Sequence, residues 1–245
     1  MKLDPAAGRR LLIRAMVIPI YDIDPLEGKS VPYVTYGLIA ANVVVFLAVL
    51  LAPDATDAVE AAFGFIPENF FYAPGPGSAY PLLTHMFIHD GWEHIIGNML
   101  FLWVFGDNIE DAVGHLRYLV FYLLCGFAGA FVHGLIDTHS TAPLVGASGA
   151  IAGTVAAYLM LRPCAKIEVL VFLVIPLALD AYWVLGFWVL MQVWEIVKHS
   201  PDGVAWWAHI GGLAAGAILI PLLRKPGVEL FACVEPRKKE TGVPA

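Results

Sequence analysis

The sequence predicts an all-α membrane protein, with six transmembrane helices in one bundle. Of its 245 residues, 59% are apolar and only 14% are charged, whereas soluble domains are roughly 45–50% apolar and 25% charged. The apolar residues are also grouped into runs long enough to cross a lipid bilayer. The composition therefore argues against a soluble enzyme, a disordered scaffold and a nucleic-acid-binding protein.

Six apolar segments have about the 17–25 residues that a helix needs to cross the hydrocarbon core. They are 34–52, 90–106, 116–135, 146–161, 182–198 and 206–223. A seventh apolar run, 167–180, is short, contains Pro176 and ends at Asp180. We predict that this run is buried or interfacial rather than a crossing, since proline interrupts a helix.

The positions of the basic residues predict the orientation. Lysines and arginines cluster before the first segment and after the last one, whereas the loops 53–83 and 136–145 contain neither. Cytoplasmic loops carry an excess of Lys and Arg. Both ends are therefore predicted to be cytoplasmic, which requires an even number of crossings. Arg117 and Arg162 fit this orientation, and Lys198 at an outer edge is the exception.

These assignments divide the chain into a cytoplasmic amino-terminal segment, 1–33, a six-helix membrane domain, 34–223, and a cytoplasmic tail, 224–245. Residues 1–8 lack the apolar core of a signal peptide. We therefore expect a multi-pass protein of a prokaryotic plasma membrane. The sequence does not predict its oligomeric state.

The three cysteines give little indication of a covalent or metal framework. Cys125, Cys164 and Cys233 are odd in number and widely spaced. This pattern suggests neither a disulfide framework nor a zinc site.

Polar side chains inside membrane spans are costly and are therefore functional candidates. Four of them are His94, Asn98, Ser148 and His209. Counted from the charged residues that mark the cytoplasmic helix ends, three of the four lie about 20–22 Å above those ends, at 1.5 Å per helical residue. Asn98 lies one helical turn from His94. The four are thus expected at a similar depth, in a cavity that water reaches.

The sequence around Ser148 suits a nucleophile. Gly146 and Gly149 flank Ala147-Ser148, which allows a tight turn into a helix and leaves backbone N–H groups free to bind an oxyanion. Two Gly-x-x-x-Gly faces, 149–153 and 212–216, would let their helices approach closely. If the two faces meet, the His209 imidazole lies within reach of the Ser148 hydroxyl and acts as its general base.

His94 and Asn98 are four residues apart and therefore share one helix face. Both side chains can donate hydrogen bonds to a developing oxyanion. Each candidate also has a structural interpretation: Ser148 as a helix cap, His94 with Asn98 as a packing bond, and His209 as a structural hydrogen bonder.

A metal site is a further alternative, because His85 and His89 are also four residues apart. They lie at the outer rim, and no third ligand is obvious. A transporter or metal-binding protein would need these residues to converge with His94 and with His133 or His139. We predict neither a metal nor a cofactor.

Three motifs in this order resemble those of the rhomboid intramembrane serine proteases. They are His85 to His89 continuing through His94-Ile95-Ile96-Gly97-Asn98-Met99-Leu100, then Gly146-Ala147-Ser148-Gly149-Ala150, then Ala208-His209-Ile210-Gly211-Gly212. The resemblance covers about residues 35–223.

The resemblance implies a role for each site residue. Ser148 looks like the nucleophile and His209 like its base, in a dyad without a carboxylate. His94 and Asn98 look like the oxyanion-hole side chains, joined by the Ser148 backbone N–H. Similar proteins act in the lipid bilayer and cleave single-pass membrane proteins at or near a membrane boundary. An alternative to a protease is a non-catalytic protein that binds membrane helices, as the inactive members of this family do. This chain departs from the pattern at Ala152, where some relatives have an aromatic residue beneath the imidazole.

Overall fold

The computed structural model describes residues 17–23, 30–172, 174–199 and 203–233, and these residues are mostly helical. Six long helices are the main elements of the described residues. They are α1 (Tyr33–Leu50), α2 (Trp92–Val113), α3 (His115–Ile136), α4 (Ser148–Leu161), α5 (Ala181–Val197) and α6 (Trp206–Leu223). Of these, α1, α3 and α6 are long and apolar enough to cross a membrane, while α4 and α5 are shorter apolar helices.

The connection between α1 and α2 is a chain of short helical elements. They are Pro53–Ala55, Thr56–Phe63, Pro67–Tyr72, Pro76–Ala79, Pro81–Thr84 and His85–Phe87. Phe65 is fully buried in this connection, and its backbone pairs with that of Leu144. The connection is therefore anchored next to the segment that leads into α4.

The all-α prediction is wrong at one end of the fold, where three antiparallel strands form a sheet in the order β1-β2-β3. The strands are β1 (Val17–Asp22), β2 (Lys166–Val171) and β3 (Ile175–Asp180). The run 167–180, predicted as a buried or interfacial segment, is thus mainly a hairpin. Ile167 and Val169 are fully buried and alternate with charged residues. Run length gave no indication of the sheet, whereas this two-residue period is typical of a half-buried strand.

The strand β1 lies within the predicted segment 1–33 and is attached to the helices by side-chain hydrogen bonds. Asp22 accepts one from Asn108 Nδ2 at 2.7 Å and one from the Tyr158 hydroxyl at 2.8 Å. These bonds connect β1 to α2 and α4.

A buried carboxylate on α2 holds the start of α1. Glu110 accepts hydrogen bonds from the Val34 N–H at 2.9 Å, the Thr35 N–H at 2.7 Å and the Thr35 hydroxyl at 2.7 Å. The first N–H groups of a helix have no partner within the helix. Glu110 supplies that partner and fixes α1 against α2.

Helices α4 and α6 approach each other through the two predicted glycine faces. A methyl group added to Gly212 would overlap the Gly149 carbonyl, and one added to Gly216 would overlap the Gly153 carbonyl. Any residue other than glycine at these positions would push the helices apart. The two faces therefore meet, and their contact brings the first turns of α4 and α6 together.

The structure also corrects the interpretation of the cysteines. Cys164 and Cys233 form a disulfide across 69 residues of sequence, and Cys125 is a buried free thiol. The spacing gave no indication of this pair, because the fold alone brings the turn after α4 next to the chain that follows α6.

Candidate active site

The structure brings Ser148 and His209 together. Ser148 is the first residue of α4, and His209 lies in the first turn of α6. The Ser148 Oγ and the His209 Nε2 are 2.8 Å apart, within hydrogen-bonding distance. Because the glycine faces of α4 and α6 are in contact, both side chains are held on rigid elements.

A third polar residue completes the arrangement. Gln192 of α5 is buried, with 3% of its surface exposed. Its Oε1 lies 2.7 Å from the His209 Nδ1, and its Nε2 donates to the Trp188 carbonyl at 2.9 Å. The imidazole is therefore bonded at both nitrogens, by Ser148 on one side and by Gln192 on the other.

The sequence interpretation missed Gln192, although a signal was present. Gln192 is a polar residue inside the predicted span 182–198, and a polar side chain in a span is a candidate by default. The site residues predicted from the sequence all lie in the second, fourth and sixth spans. Gln192 also matches none of the motifs that carried the resemblance.

Two tryptophans flank the His209 ring. The Trp188 ring centroid lies 6.0 Å away and the Trp206 centroid 5.7 Å away, the latter with its ring nearly perpendicular to the imidazole. Ala152, where some relatives have an aromatic residue, is fully buried. In this chain the aromatic neighbours of the imidazole come from α5 and from the first residue of α6.

Asn98 carries a buried donor next to the turn that leads into α4. Its Nδ2 has no hydrogen-bond partner among the described residues. A Cβ atom at Gly146 would lie 3.8 Å from this nitrogen and 2.6 Å from the His94 Nε2. Asn98 and His94 thus both lie against Gly146, two residues before Ser148. An unpartnered buried donor is costly, so this amide is suited to an oxygen that arrives with a ligand.

Gly146 is required in this turn for two reasons. Its φ is +115°, a value that residues with a side chain rarely adopt. The His94 ring also occupies the space that a side chain would need. The glycine therefore allows the chain to turn into α4 directly against the oxyanion-hole candidates.

His94 is oriented by a carboxylate. Asp90, which precedes α2, lies 2.6 Å from the His94 Nδ1. The hydrogen bond from His94 lowers the pKa of Asp90. Since an ionised carboxylate only accepts hydrogen bonds, Nδ1 carries a hydrogen and the ring's Nε2 is directed toward Gly146.

Three of the other candidate histidines, His85, His89 and His139, each have a described contact, and neither ring nitrogen of the buried His89 has a hydrogen-bond partner among the described residues. The His85 Nδ1 donates to the Pro81 carbonyl at 2.8 Å, and the His139 ring stacks on Tyr72. His89 packs against the His94 ring, and burial lowers the pKa of His89 to about 4. Within the described part of the chain, no group of three or more His, Cys, Asp or Glu side chains is placed to hold a metal ion.

Sequence comparison agrees with the motifs. Residues 76–226, more than half of the chain, match the family model described as Rhomboid domain. RHOMBOID-like protein 6, mitochondrial, of Arabidopsis thaliana is 27% identical over 228 residues, which cover 76% of this chain and 67% of that protein. Rhomboid protease GluP of Bacillus subtilis (strain 168) is 33% identical over 129 residues, which cover 52% of this chain and 24% of that protein.

A third relative is Presenilin-associated rhomboid-like protein A, mitochondrial, of Danio rerio. It is 29% identical over 155 residues, which cover 60% of this chain and 39% of that protein. The chain thus matches only a minor part of the second and third relatives. Two of the three are mitochondrial, so the relatives do not support the expected prokaryotic plasma membrane over an organellar one.

Proposed function

The chain belongs to the rhomboid family of integral membrane proteins, which are generally intramembrane serine proteases, and on this premise we propose that it is an intramembrane serine endopeptidase with Ser148 and His209 as its catalytic pair. The observation that carries the proposal is the 2.8 Å contact between the Ser148 hydroxyl and the His209 Nε2. A hydroxyl within hydrogen-bonding distance of an oriented imidazole is the arrangement of an activated nucleophile.

In the proposed first step, the Ser148 Oγ attacks the carbonyl carbon of a peptide bond, and its proton passes to the His209 Nε2. The tetrahedral intermediate then breaks its C–N bond, and the imidazolium gives the proton to the leaving amine. This leaves an ester between Ser148 and the substrate. Water deprotonated by His209 hydrolyses the ester and regenerates the hydroxyl.

Attack by Ser148 and attack by water each form a tetrahedral intermediate with an oxyanion. In both, the oxyanion would be bound by the Asn98 Nδ2, the His94 Nε2 and the Ser148 backbone N–H. The unpartnered Asn98 amide and the orientation of the His94 ring support this assignment. For the Nε2 to donate while Nδ1 donates to Asp90, the His94 ring must carry both hydrogens. We therefore infer that His94 binds the oxyanion as an imidazolium held by Asp90.

We infer that all six long helices cross the bilayer, with both ends in the cytoplasm, and that the substrates are single-pass membrane proteins. The basic residues at both ends of the sequence support this topology. Ser148 is the first residue of α4 and His209 lies in the first turn of α6, so in this proposed topology the pair lies near the outer ends of the two helices. A substrate helix must unwind there, because its own hydrogen bonds shield each peptide bond.

A serine-directed fluorophosphonate tests the proposal without a known substrate. We expect the purified protein to be labelled on the peptide that contains Ser148, and neither the Ser148→Ala nor the His209→Ala variant to be labelled. A protein that binds membrane helices without catalysis would remain unlabelled. Equal labelling of native and Ser148→Ala protein would refute the assignment.

A further inference from the structure

The hydrogen bonds around Gln192 determine which way its amide faces. The oxygen of the Trp188 carbonyl can only accept a hydrogen bond, so the group that contacts it at 2.9 Å must be the amide Nε2. The Gln192 Oε1 is then directed toward His209. The backbone of α5 itself therefore fixes the orientation of this amide.

The same logic fixes the hydrogen on His209. The Gln192 Oε1 can only accept, so the His209 Nδ1 at 2.7 Å must donate to it. A neutral imidazole with a hydrogen on Nδ1 has a lone pair on Nε2. The Nε2 that carries this lone pair lies 2.8 Å from the Ser148 Oγ. An imidazole with a free lone pair beside the hydroxyl is in the protonation state that a general base requires.

We propose that Gln192 is a positioning residue that holds His209 in the tautomer able to accept the Ser148 proton. The inference rests on the proposed function. It replaces the expected two-residue dyad with a series of hydrogen bonds that runs from the Trp188 carbonyl through Gln192 and His209 to Ser148. In this series Gln192 has the role that a carboxylate has in other serine proteases.

The surroundings explain why an amide serves in place of a carboxylate. Gln192 and His209 are both buried, with 3% and 7% of their surfaces exposed. A buried charge is costly unless it is paired. An amide supplies the same acceptor oxygen without a charge. The neighbouring carboxylate of α5, Glu195, lies 3.7 Å from the Lys198 ammonium.

Gln192 also makes the site depend on the position of α5. Ser148 and His209 belong to α4 and α6, whose glycine faces pack directly together. The acceptor for Nδ1 comes from a different helix. Displacement of α5 would therefore release the imidazole while leaving the contact between α4 and α6 intact.

Three variants test the role of Gln192 through the rate of fluorophosphonate labelling. Gln192→Met keeps the side-chain length and removes the acceptor. Gln192→Glu keeps an acceptor, because a protonated carboxyl donates to the Trp188 carbonyl and accepts from His209. Val193→Ala is the control, since Val193 is adjacent but 47% exposed.

We expect labelling of Gln192→Met to be about 10- to 100-fold slower, because the buried Nδ1–H of His209 loses the acceptor oxygen that Gln192 supplies. Gln192→Glu should recover most of the native rate, and Val193→Ala should match it. A native labelling rate in folded Gln192→Met would overturn the role of Gln192 and leave the proposed function standing. Absence of labelling of the native protein would instead overturn the proposed function.

A measurement on the native protein tests the tautomer directly and does not depend on the folding of the Gln192 variants. The ¹⁵N resonances of labelled histidine distinguish the two neutral tautomers, and those of His209 are identified by their loss in His209→Ala. We expect the hydrogen on Nδ1. A hydrogen held mainly on Nε2 would overturn the proposal even if serine labelling is normal.

Discussion

The Gly149 carbonyl oxygen on α4 occupies the space where a side chain at Gly212 on α6 would begin. This close approach places the first turns of the two helices side by side. The contact between Ser148 and His209 therefore depends on backbone packing as well as on the two side chains themselves.

The first prediction concerns this helix contact. Gly212→Ala should destabilise the fold by about 1–3 kcal/mol, as over-packing does elsewhere, and should slow Ser148 labelling because the helices separate. Gly186→Ala on α5 is the matched control, since a methyl group there meets no atom within 4 Å. Thermal unfolding in detergent measures the stability of both variants, and fluorophosphonate labelling measures the reactivity of Ser148. Equal stability of the two variants would contradict the packing described here.

The second prediction concerns the oxyanion hole. Asn98→Ala should reduce the cleavage rate by about 10²- to 10³-fold, the usual cost of one lost oxyanion donor, with little effect on unfolding temperature. Gly97→Ala is the control, because the added methyl group meets no atom within 4 Å. Steady-state rates on a model substrate measure the effect. A native rate in Asn98→Ala would remove this residue from the site.

The third prediction concerns the anchor of α1. Glu110→Ala should lower the free energy of unfolding by about 3 kcal/mol or more, because it leaves buried donors of α1 without their charged acceptor. Glu229→Ala, at an exposed position, should change it by less than about 0.5 kcal/mol. A similar loss in both variants would show that the Glu110 carboxylate does not hold α1.

The fourth prediction concerns the cysteines. Protein purified without reductant and then denatured should react with one equivalent of a thiol reagent, at Cys125, because Cys164 and Cys233 are paired. Reduction should raise the count to three. Mass spectrometry of the alkylated peptides identifies each site. Three reactive thiols before reduction would show that the disulfide is absent.

Local sequence indicated the Ser148–His209 contact on the condition that two glycine faces meet. A Gly-x-x-x-Gly face identifies a surface of close helix approach, and two such faces directly follow the two side chains. The positions of the long helices were likewise predictable from apolar runs. The assignment of Ser148, His209, His94 and Asn98 to catalysis stays a prediction, which variants of Ser148, His209 and Asn98 test for those three residues.

The missed features depend on contacts between distant parts of the chain. The strand β1 pairs with residues about 150 positions later, and Cys164 pairs with Cys233. Gln192 gains its role only because α5 packs beside α6. The alternation of Ile167 and Val169 with charged residues indicates a strand, but no pattern within this segment shows that it pairs with β1 or that Cys164 reaches Cys233.

The most direct test of catalysis by Ser148 is cleavage of a single-pass substrate by the purified protein in liposomes, with and without Ser148→Ala. We expect cleavage by the native protein, also after treatment with a chelator, and none by the Ser148→Ala variant, whose unfolding temperature should be unchanged. Undiminished cleavage by pure Ser148→Ala protein would contradict it.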